Sequence, residues 1–216
     1  MIPTRVSCRE TSNTPALVFA INERGTVVGT GDIFDSELNL IVEYGFTWEN
    51  GNFTDVNVPG SVGTSIVGIN APGDLVGHWD SKPTLTIKHG FVFSKKKFTT
   101  YDVPFPGVLG TQGNDVNAKG DIVGSYFSDP TYGIPGGFLK VGTTFTDIAY
   151  PGAVATSAWG INSAGQMVGI WYDSDYNGHG WLAQPGHKGK PAAGIHVSMH
   201  TSPPANFQPQ LPVTLR

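Results

Sequence analysis

The segment 161–169, with the sequence INSAGQMVG, is the stretch around which the rest of the chain is organised. Three further copies occur, at 21–29 (INERGTVVG), 69–77 (INAPGDLVG) and 116–124 (VNAKGDIVG). The asparagine at the second position can cap its own turn through its side-chain oxygen, and the glycine three residues later accepts the left-handed conformation that closes a hairpin. The segment therefore predicts a repeated β-hairpin, and it contains no obvious reactive group.

The spacing of the four asparagines predicts the architecture. The intervals are 70 − 22 = 48, 117 − 70 = 47 and 162 − 117 = 45 residues. A period in the forties with several short strand-like runs in each repeat is typical of β-propeller blades. No window of 11 or more residues has convincing helical periodicity. We therefore expect an all-β protein, specifically a small β-propeller.

Three further markers keep the same phase. Each unit opens on a glycine–aromatic step, an aspartate precedes the repeated asparagine at a constant spacing, and a Pro-Gly pair is followed by threonine, also at a constant spacing. These markers are Gly45-Phe46, Gly90-Phe91, Gly137-Phe138 and Gly180-Trp181; Asp55, Asp102 and Asp147; and Pro59-Gly60, Pro106-Gly107 and Pro151-Gly152 with Thr64, Thr111 and Thr156. Each unit therefore contains four short runs of strand character.

The two ends of the repeat region predict how the ring closes. The segment 5–8 occupies the place of the aspartate-bearing strand, because Ser7 precedes Asn22 by the same spacing as Asp55 precedes Asn70, and 179–183 supplies the missing first strand. We expect four blades of four short antiparallel strands, with the N- and C-terminal strands sharing one blade and leaving no open sheet edge. The alternative is an open stack or part of a larger array. The predicted propeller domain is 1–184, with units near 45–80, 90–127, 137–172 and 180–184 joined with 4–31, and 185–216 is a Pro/Gly-rich tail.

Composition excludes several classes of protein. The 216 residues include 29 glycines, only 14% are charged, and the formal net charge is −4, so no broad basic surface for nucleic acid is expected. Cys8 is the single cysteine, which excludes a disulfide framework, and no apolar run approaches the length of a membrane span. The first five residues lack the pattern of a signal peptide, which predicts a cytoplasmic protein or a mature form whose leader has been removed. We expect a monomer.

The repeat resembles the HAF family of bacterial extracellular repeats. The resemblance covers about residues 16–184, and it is carried by motifs that the family shares, namely His89-Gly90-Phe91, Pro151-Gly152-Ala153, Gly160-Ile161-Asn162, Gly68-Ile69-Asn70 and Val123-Gly124-Ser125-Tyr126. Three positions depart from the family pattern: Tyr44 and Gly136 replace histidine before glycine, and Asp115 replaces glycine before Val116-Asn117. The resemblance implies a propeller-like β fold and a secreted or cell-surface setting. It implies no settled catalytic residues.

The loops between the Val-Gly strand and the glycine–aromatic strand hold the candidate site. In a ring of blades, equivalent loops lie on one face. Here these loops combine carboxylates with flat aromatic rings. That combination suits a sugar ligand, because aromatic rings stack on a pyranose and carboxylates accept hydrogen bonds from its hydroxyls. The predicted ligand-binding residues are His78, Trp79, Asp80, Tyr126, Asp129, Trp171, Tyr172, Asp173 and His179. The competing interpretation is that these aromatics pack between blades and the acids solvate loops.

Three functions remain open at this point. The first is non-catalytic binding of a glycan or another extracellular ligand. The second is a carbohydrate-active enzyme, either a glycoside hydrolase with catalytic carboxylates among Asp32, Asp80, Asp129 and Asp173, or a polysaccharide lyase with Tyr126 or His78 as base. The third is a structural or protein-interaction scaffold.

One loop resembles the start of a calcium-binding loop. The segment 173–178 has the order Asp-x-Asp-x-Asn-Gly, so Asp173, Asp175 and Asn177 are candidate Ca²⁺ ligands. Position 184 is glutamine, however, where a complete loop has its bidentate glutamate. Apart from this candidate calcium ion no cofactor is expected, and a plain turn is the alternative.

Overall fold

The computed structural model describes residues 16–34, 40–82, 87–128 and 135–184. Within these ranges all regular elements are β-strands, fifteen in number, and no helix of the length and apolarity needed to cross a bilayer occurs there. The strands are β1 (Ala16–Ile21), β2 (Val27–Phe34), β3 (Leu40–Glu49), β4 (Asn52–Asp55), β5 (Gly63–Ile69), β6 (Leu75–Asp80), β7 (Lys88–Ser94), β8 (Lys97–Tyr101), β9 (Gly110–Val116), β10 (Ile122–Phe127), β11 (Pro135–Val141), β12 (Thr144–Ile148), β13 (Ala155–Ile161), β14 (Met167–Tyr172) and β15 (Gly178–Ala183). The all-β prediction is confirmed.

The strands form four antiparallel meanders, which we call the first to fourth sheets. They comprise β1–β4, β5–β8, β9–β12 and β13–β15, and a single parallel pairing between Glu43 and Gly63 joins the first sheet to the second. The first three sheets have the predicted four strands. The fourth has three in the described part of the chain.

The sheets are out of phase with the units predicted from the sequence. The unit 90–127 would place β7, β8, β9 and β10 in one sheet, whereas β7 and β8 pair with β6 and β9 begins the next sheet. The repeat period matches the succession of sheets, but the boundary between units lies after the aspartate-bearing strand. The physical reason is that β6 and β7 form a hairpin, while the segment around each Pro-Gly pair carries the chain across to the next sheet.

The repeated asparagine turn has the predicted geometry. In the first copy, Asn22 Oδ1 accepts hydrogen bonds from the backbone N–H groups of Arg24 (3.1 Å) and Thr26 (3.0 Å), and Gly25 has φ of +81°. In the other three copies the asparagine oxygen again accepts two backbone N–H bonds and the glycine again has a positive φ, with Gly73 as a donor in the second copy because residue 72 is proline. The asparagine therefore caps its own turn in all four sheets.

The same asparagines also connect successive sheets. The Asn22 amide donates to the backbone carbonyl of Asn70 (3.3 Å), that of Asn70 to Asn117 (3.0 Å), and that of Asn117 to Asn162 (3.3 Å). One side chain thus fixes a turn with its oxygen and a neighbouring sheet with its nitrogen. This dual role explains why the motif recurs with asparagine and not aspartate, which has no donor when ionised.

The threonine marker anchors each crossing between sheets. Thr64 Oγ1 accepts a hydrogen bond from the Val58 N–H (3.1 Å), and Thr111 does the same for Val103 (3.0 Å). The third copy repeats this bond. Because these hydroxyls are buried, they satisfy backbone donors that the crossing would otherwise leave unpaired.

The hydrophobic core lies between the sheets. Val28, Val76 and Val123, one from each of the first three sheets, are fully buried and contact apolar residues of the following sheet. Each of the first three sheets therefore packs on the next sheet along the chain. The described residues show no packing of similar extent between the fourth sheet and the first. The predicted closing segment 5–8 lies outside the described residues, so the stack is open in the part of the chain that the structure describes.

Candidate functional site

The predicted site residues lie together at one end of the stack. This loop end carries the β2–β3, β6–β7, β10–β11 and β14–β15 connections, and the opposite turn end carries the asparagine turns. Asp32, Asp80 and Tyr172 occupy equivalent positions at or near the ends of the second strands of their sheets, and Tyr126 lies one residue before the corresponding position of the third sheet. Asp129 lies outside the described residues.

Each sheet has one cross-strand pair with an aromatic ring at this end. In the second sheet Trp79 stacks on His89 with ring centroids 4.6 Å apart, and in the fourth Trp171 stacks on His179 at 4.3 Å. In the third sheet the Tyr126 ring instead covers Gly136, where a Cβ would lie only 2.0 Å from the ring.

The first sheet reverses the arrangement of the third. There Tyr44 supplies the ring and Gly31 the empty partner position, where a Cβ would lie 2.4 Å from that ring. The residues Tyr44 and Gly136, which depart from the HAF pattern that the sequence resembles, are therefore matched in size by their partners across the strand pair. The departures preserve one ring layer in every sheet.

Carboxylates bind the polar edges of three of these rings. His89 Nδ1 lies 2.9 Å from Asp102 Oδ1, and the Tyr126 hydroxyl donates to Asp147 Oδ1 at 2.9 Å. Burial, together with this bond to Asp147, raises the pKa of Tyr126 to about 12. The repeat aspartates Asp102 and Asp147 are thus partners of the ring layer. We call these contacts the ring–carboxylate pairs.

The fourth sheet forms its pair with a different acid. His179 Nε2 lies 2.9 Å from Asp173 Oδ2, and this hydrogen bond, with a further one from the Asn177 N–H, lowers the pKa of Asp173 to about 2. The predicted equivalent of Asp102 in this sheet is Ser7, which lies outside the described residues. The loop acid Asp173 therefore takes the place of the repeat aspartate.

The rings differ in how much of their faces is free. Trp171 lies between His179 and Tyr150, with the Tyr150 ring nearly parallel to it at 4.3 Å. A pyranose therefore cannot stack on either face of Trp171 in this conformation. Trp79 has one face on His89 and packs against the core of the second sheet.

The predicted calcium loop is a tight turn closed by its first aspartate. Asp173 Oδ1 accepts bonds from the N–H groups of Asp175 (3.0 Å) and Asn177 (2.9 Å), and the Asn177 side chain turns its NH₂ toward the same carboxylate. Both oxygens of Asp173 are thus engaged, within the turn and by His179. Calcium binding here stays a prediction.

A buried polar cluster joins the first two sheets at the loop end. Lys88 Nζ lies 2.8 Å from His78 Nε2 and 3.8 Å from Asp80 Oδ2, and His78 Nε2 lies 3.7 Å from Glu43 Oε1. Burial raises the pKa values of Glu43 and Asp80. Burial also lowers the pKa of His78 well below its usual value, and the nearby charge of Lys88 lowers it further. Asp32 faces Glu43 across the β2–β3 pair.

Sequence reasoning found half of this buried cluster. The predicted site residues include His78 and Asp80 but neither Glu43 nor Lys88. The β6–β7 register, which pairs Lys88 with Asp80, was the available signal. The contact of Glu43 with the second sheet had no signal in the sequence, because it depends on how two sheets pack.

Two cavities lie near the sheets. One of about 200 Å³ at the loop end is lined by residues of the third sheet and of the crossing that follows it, among them Tyr126, Gly136 and Asp147. A larger cavity of about 680 Å³ lies between the first and second sheets at the turn end. Its lining includes Arg24, Glu49 and Phe93, and the sequence did not predict it.

Comparison with known proteins gives a fold and no family. No family model matches the chain, and no curated protein matches it. Among solved structures, the chain is similar to the β-propeller domain of the trilobed protease from Pyrococcus furiosus, described as having an open velcro topology. The TM-score is 0.50 at 9% identity, and the match covers 79% of this chain and 49% of that one, so this chain spans about half the length of its neighbour. At this identity the likeness shows the fold alone, which is that of a β-propeller.

Proposed function

We propose that the chain is a non-catalytic β-propeller repeat protein that binds a glycan, or another extracellular surface ligand, at the loop end. The observation that carries the proposal is the recurrence of the ring–carboxylate pairs at the same end of the second, third and fourth sheets. Carboxylates and ring hydroxyls or imidazoles are the groups that hydrogen-bond sugar hydroxyls. Asp102 keeps more than half of its side chain exposed, so it can accept such a bond while it holds His89.

The Tyr126–Asp147 pair offers the best-defined contact point. It lines the loop-end cavity of about 200 Å³, which is smaller than the roughly 300–1,000 Å³ of a complete ligand pocket. A cavity of this size suits one subsite, with the rest of the ligand lying across the neighbouring loops. The ligand contact would then come from hydrogen bonds and ring edges, since the faces of Trp171 are covered.

Binding of the full chain to a glycan array tests this proposal. We expect the variants Asp147→Asn and Tyr126→Phe to weaken binding to a positive glycan about 10-fold each, as the loss of one hydrogen bond to a charged or phenolic group predicts. Glu49→Gln is the matched control, because it removes an exposed charge at the turn end. Loss of binding in Glu49→Gln, with Asp147→Asn unaffected, would move the ligand to the turn-end cavity and contradict the proposal.

A carbohydrate-active enzyme is the second candidate, favoured by the buried cluster. Carboxyl groups with raised pKa values, such as Glu43 and Asp80, are the groups that serve as general acids in glycoside hydrolases. Asp80 is completely buried, however, so a substrate would reach it only after the loops move. A reducing-sugar assay and an assay for unsaturated products decide this point: turnover that Asp80→Asn or Asp173→Asn abolishes would retire the binding-only proposal.

A closed ring of four blades is the architecture that we propose for this binding protein. Support comes from equivalent positions on the faces of the sheets. Val168 of the fourth sheet is 48% exposed, whereas its three equivalents are fully buried against the following sheet. Ile21 of the first sheet is 66% exposed, whereas its equivalents Ile69, Val116 and Ile161 are buried by the preceding sheet. The fourth sheet thus exposes the valine, and the first sheet the isoleucine, of the apolar contact that forms between each other pair of successive sheets.

The side chains at these two faces also match each other. Between the first and second sheets Thr30 Oγ1 and Ser65 Oγ form a polar contact of 2.6 Å, and Ser125 and Ser157 repeat it between the third and fourth. The equivalent pair for a closing contact is Ile170 with Leu17, and both are apolar. Two apolar side chains at these equivalent positions can pack directly on each other, which supports contact between the two faces.

Chain length supports the fourth strand of the shared blade. If the segment 5–8 pairs with β15, seven residues (9–15) connect it to β1. The three observed crossings have seven (56–62), eight (102–109) and six (149–154) residues.

We propose a monomer in a secreted or cell-surface setting, and this setting rests on the resemblance to HAF repeats. If no ligand is found, a structural or protein-interaction scaffold is the remaining alternative.

A further inference from the structure

We propose that Glu43, His78 and Asp80 bind one divalent transition-metal cation between the first and second sheets. Glu43 lies on β3, and His78 and Asp80 lie on β6, so the two sheets both contribute. One ligand-type atom from each residue lies within 4.8 Å of the others. This site is independent of the proposed glycan contact, which involves Tyr126 and Asp147 of the third sheet.

The buried atoms of this cluster lack hydrogen-bond partners. Both oxygens of Asp80, Oε1 of Glu43 and Nδ1 of His78 are buried and make no hydrogen bond in the described structure. Asp80 is completely buried. Asp80 Oδ2 lies 3.8 Å from the Lys88 ammonium, which is too far for a hydrogen bond. A buried carboxylate without hydrogen bonds is unfavourable by several kcal/mol, so groups of this kind are normally paired or coordinate a metal.

The charges of the cluster do not balance without a further cation. Asp32, Glu43 and Asp80 together carry three negative charges when ionised, and Lys88 supplies one positive charge. His89 lies close enough to act on Asp80, but its ring is bound to Asp102. Two negative charges therefore remain, and one divalent cation would neutralise them.

The separation between His78 and Glu43 suits a metal ion of the zinc or manganese kind. Two ligands bound at about 2.0–2.2 Å to one ion lie roughly 3.0–4.2 Å apart, depending on the angle between them. The separation of 3.7 Å between His78 Nε2 and Glu43 Oε1 falls within that range. A mixture of one imidazole with carboxylates fits Zn²⁺ and Mn²⁺ better than Ca²⁺, which takes oxygen ligands.

Lys88 competes with a metal ion for His78, and its side chain must move aside before the ion can bind. Its ammonium group donates to the lone pair of His78 Nε2, which a metal would use, so the cation must displace it. The Lys88 side chain is 30% exposed and can move its charge into solvent. The lysine thus acts as a tethered cation that holds the site when no metal is bound.

Calorimetric titration of the full, tag-free chain with ZnCl₂ and with MnCl₂, after removal of metals by a chelator, tests the proposal. We expect one site that Asp80→Asn weakens about 100-fold or more for at least one of the two ions, since one of three ligands is lost. Lys88→Met should bind that ion as tightly as the parent chain or more tightly, because the competing charge is gone. Glu49→Gln, which removes an exposed carboxylate of the first sheet at the opposite turn end, should leave the affinity unchanged.

Two results would overturn the proposal. One is the absence of saturable binding of either ion to the folded parent chain. The other is binding that neither Asp80→Asn nor Glu43→Gln weakens, which would assign the ion to another site, such as the histidines beyond residue 184. Glu43→Gln provides the same test if Asp80→Asn does not fold. Because neither change touches the third sheet, failure here leaves the glycan test unaffected.

Discussion

A chain in which Gly77 is replaced by alanine is expected to lose about 3 kcal/mol or more of its folding free energy. A Cβ at this position would lie 1.9 Å from the backbone carbonyl oxygen of Ser65 on the adjacent strand. Backbone atoms cannot rotate away as a side chain can, so β5 and β6 would have to separate. The same overlap occurs in all four sheets, with distances of 1.9–2.1 Å, which explains the final glycine of the repeated motif.

Gly180→Ala is the matched control for this substitution. Gly180 also lies within a strand, but a Cβ there would meet no atom within 4 Å. We expect its effect to stay within about 1 kcal/mol. Urea unfolding followed by circular dichroism gives both values. A Gly77→Ala chain as stable as the Gly180→Ala chain would show that β5 and β6 do not approach each other as described.

Asn70→Ala is expected to destabilise the chain by about 2–4 kcal/mol. The Asn70 side chain accepts bonds from the N–H groups of Gly73 (2.9 Å) and Asp74 (2.7 Å), and donates to Asn117 of the third sheet (3.0 Å). Alanine leaves these partners unpaired at a buried position. The loss therefore removes a turn cap and a connection between sheets together.

The comparison for Asn70 is an asparagine with no such role. Asn52 is exposed at a hairpin and makes only a 3.4 Å contact with the carbonyl of Asn50. Asn52→Ala should change the unfolding free energy by no more than about 0.5 kcal/mol, measured in the same denaturant series. Equal effects of the two substitutions would refute the connecting role of the repeated asparagine.

Local chemistry explains what the sequence could predict. The capping of each turn by asparagine and the left-handed glycine involve residues close together in the chain, so both follow from the motif alone. The constant spacing of the motif likewise predicted a succession of similar sheets. The spacing did not give the phase, because any cyclic shift of four strands has the same period.

Contacts between strands and sheets explain what it could not predict. The change to Tyr44 and Gly136 makes sense only beside their partners Gly31 and Tyr126, which the strand register supplies. The approach of Glu43 to His78 joins two sheets and residues far apart in the chain. The turn-end cavity is also a product of sheet packing. Such features need the fold before they can be found.

The most direct test of the closed ring is a cross-link between its two proposed end faces. In a chain with Leu17→Cys, Ile170→Cys and Cys8→Ser, the new cysteines take the positions equivalent to Thr30 and Ser65, whose side-chain oxygens lie 2.6 Å apart. The account predicts that mild oxidation at low protein concentration forms one disulfide within the chain, seen as faster non-reducing migration of a monomer. Two free thiols after oxidation, or disulfide-linked dimers only, would contradict a ring closed within one molecule.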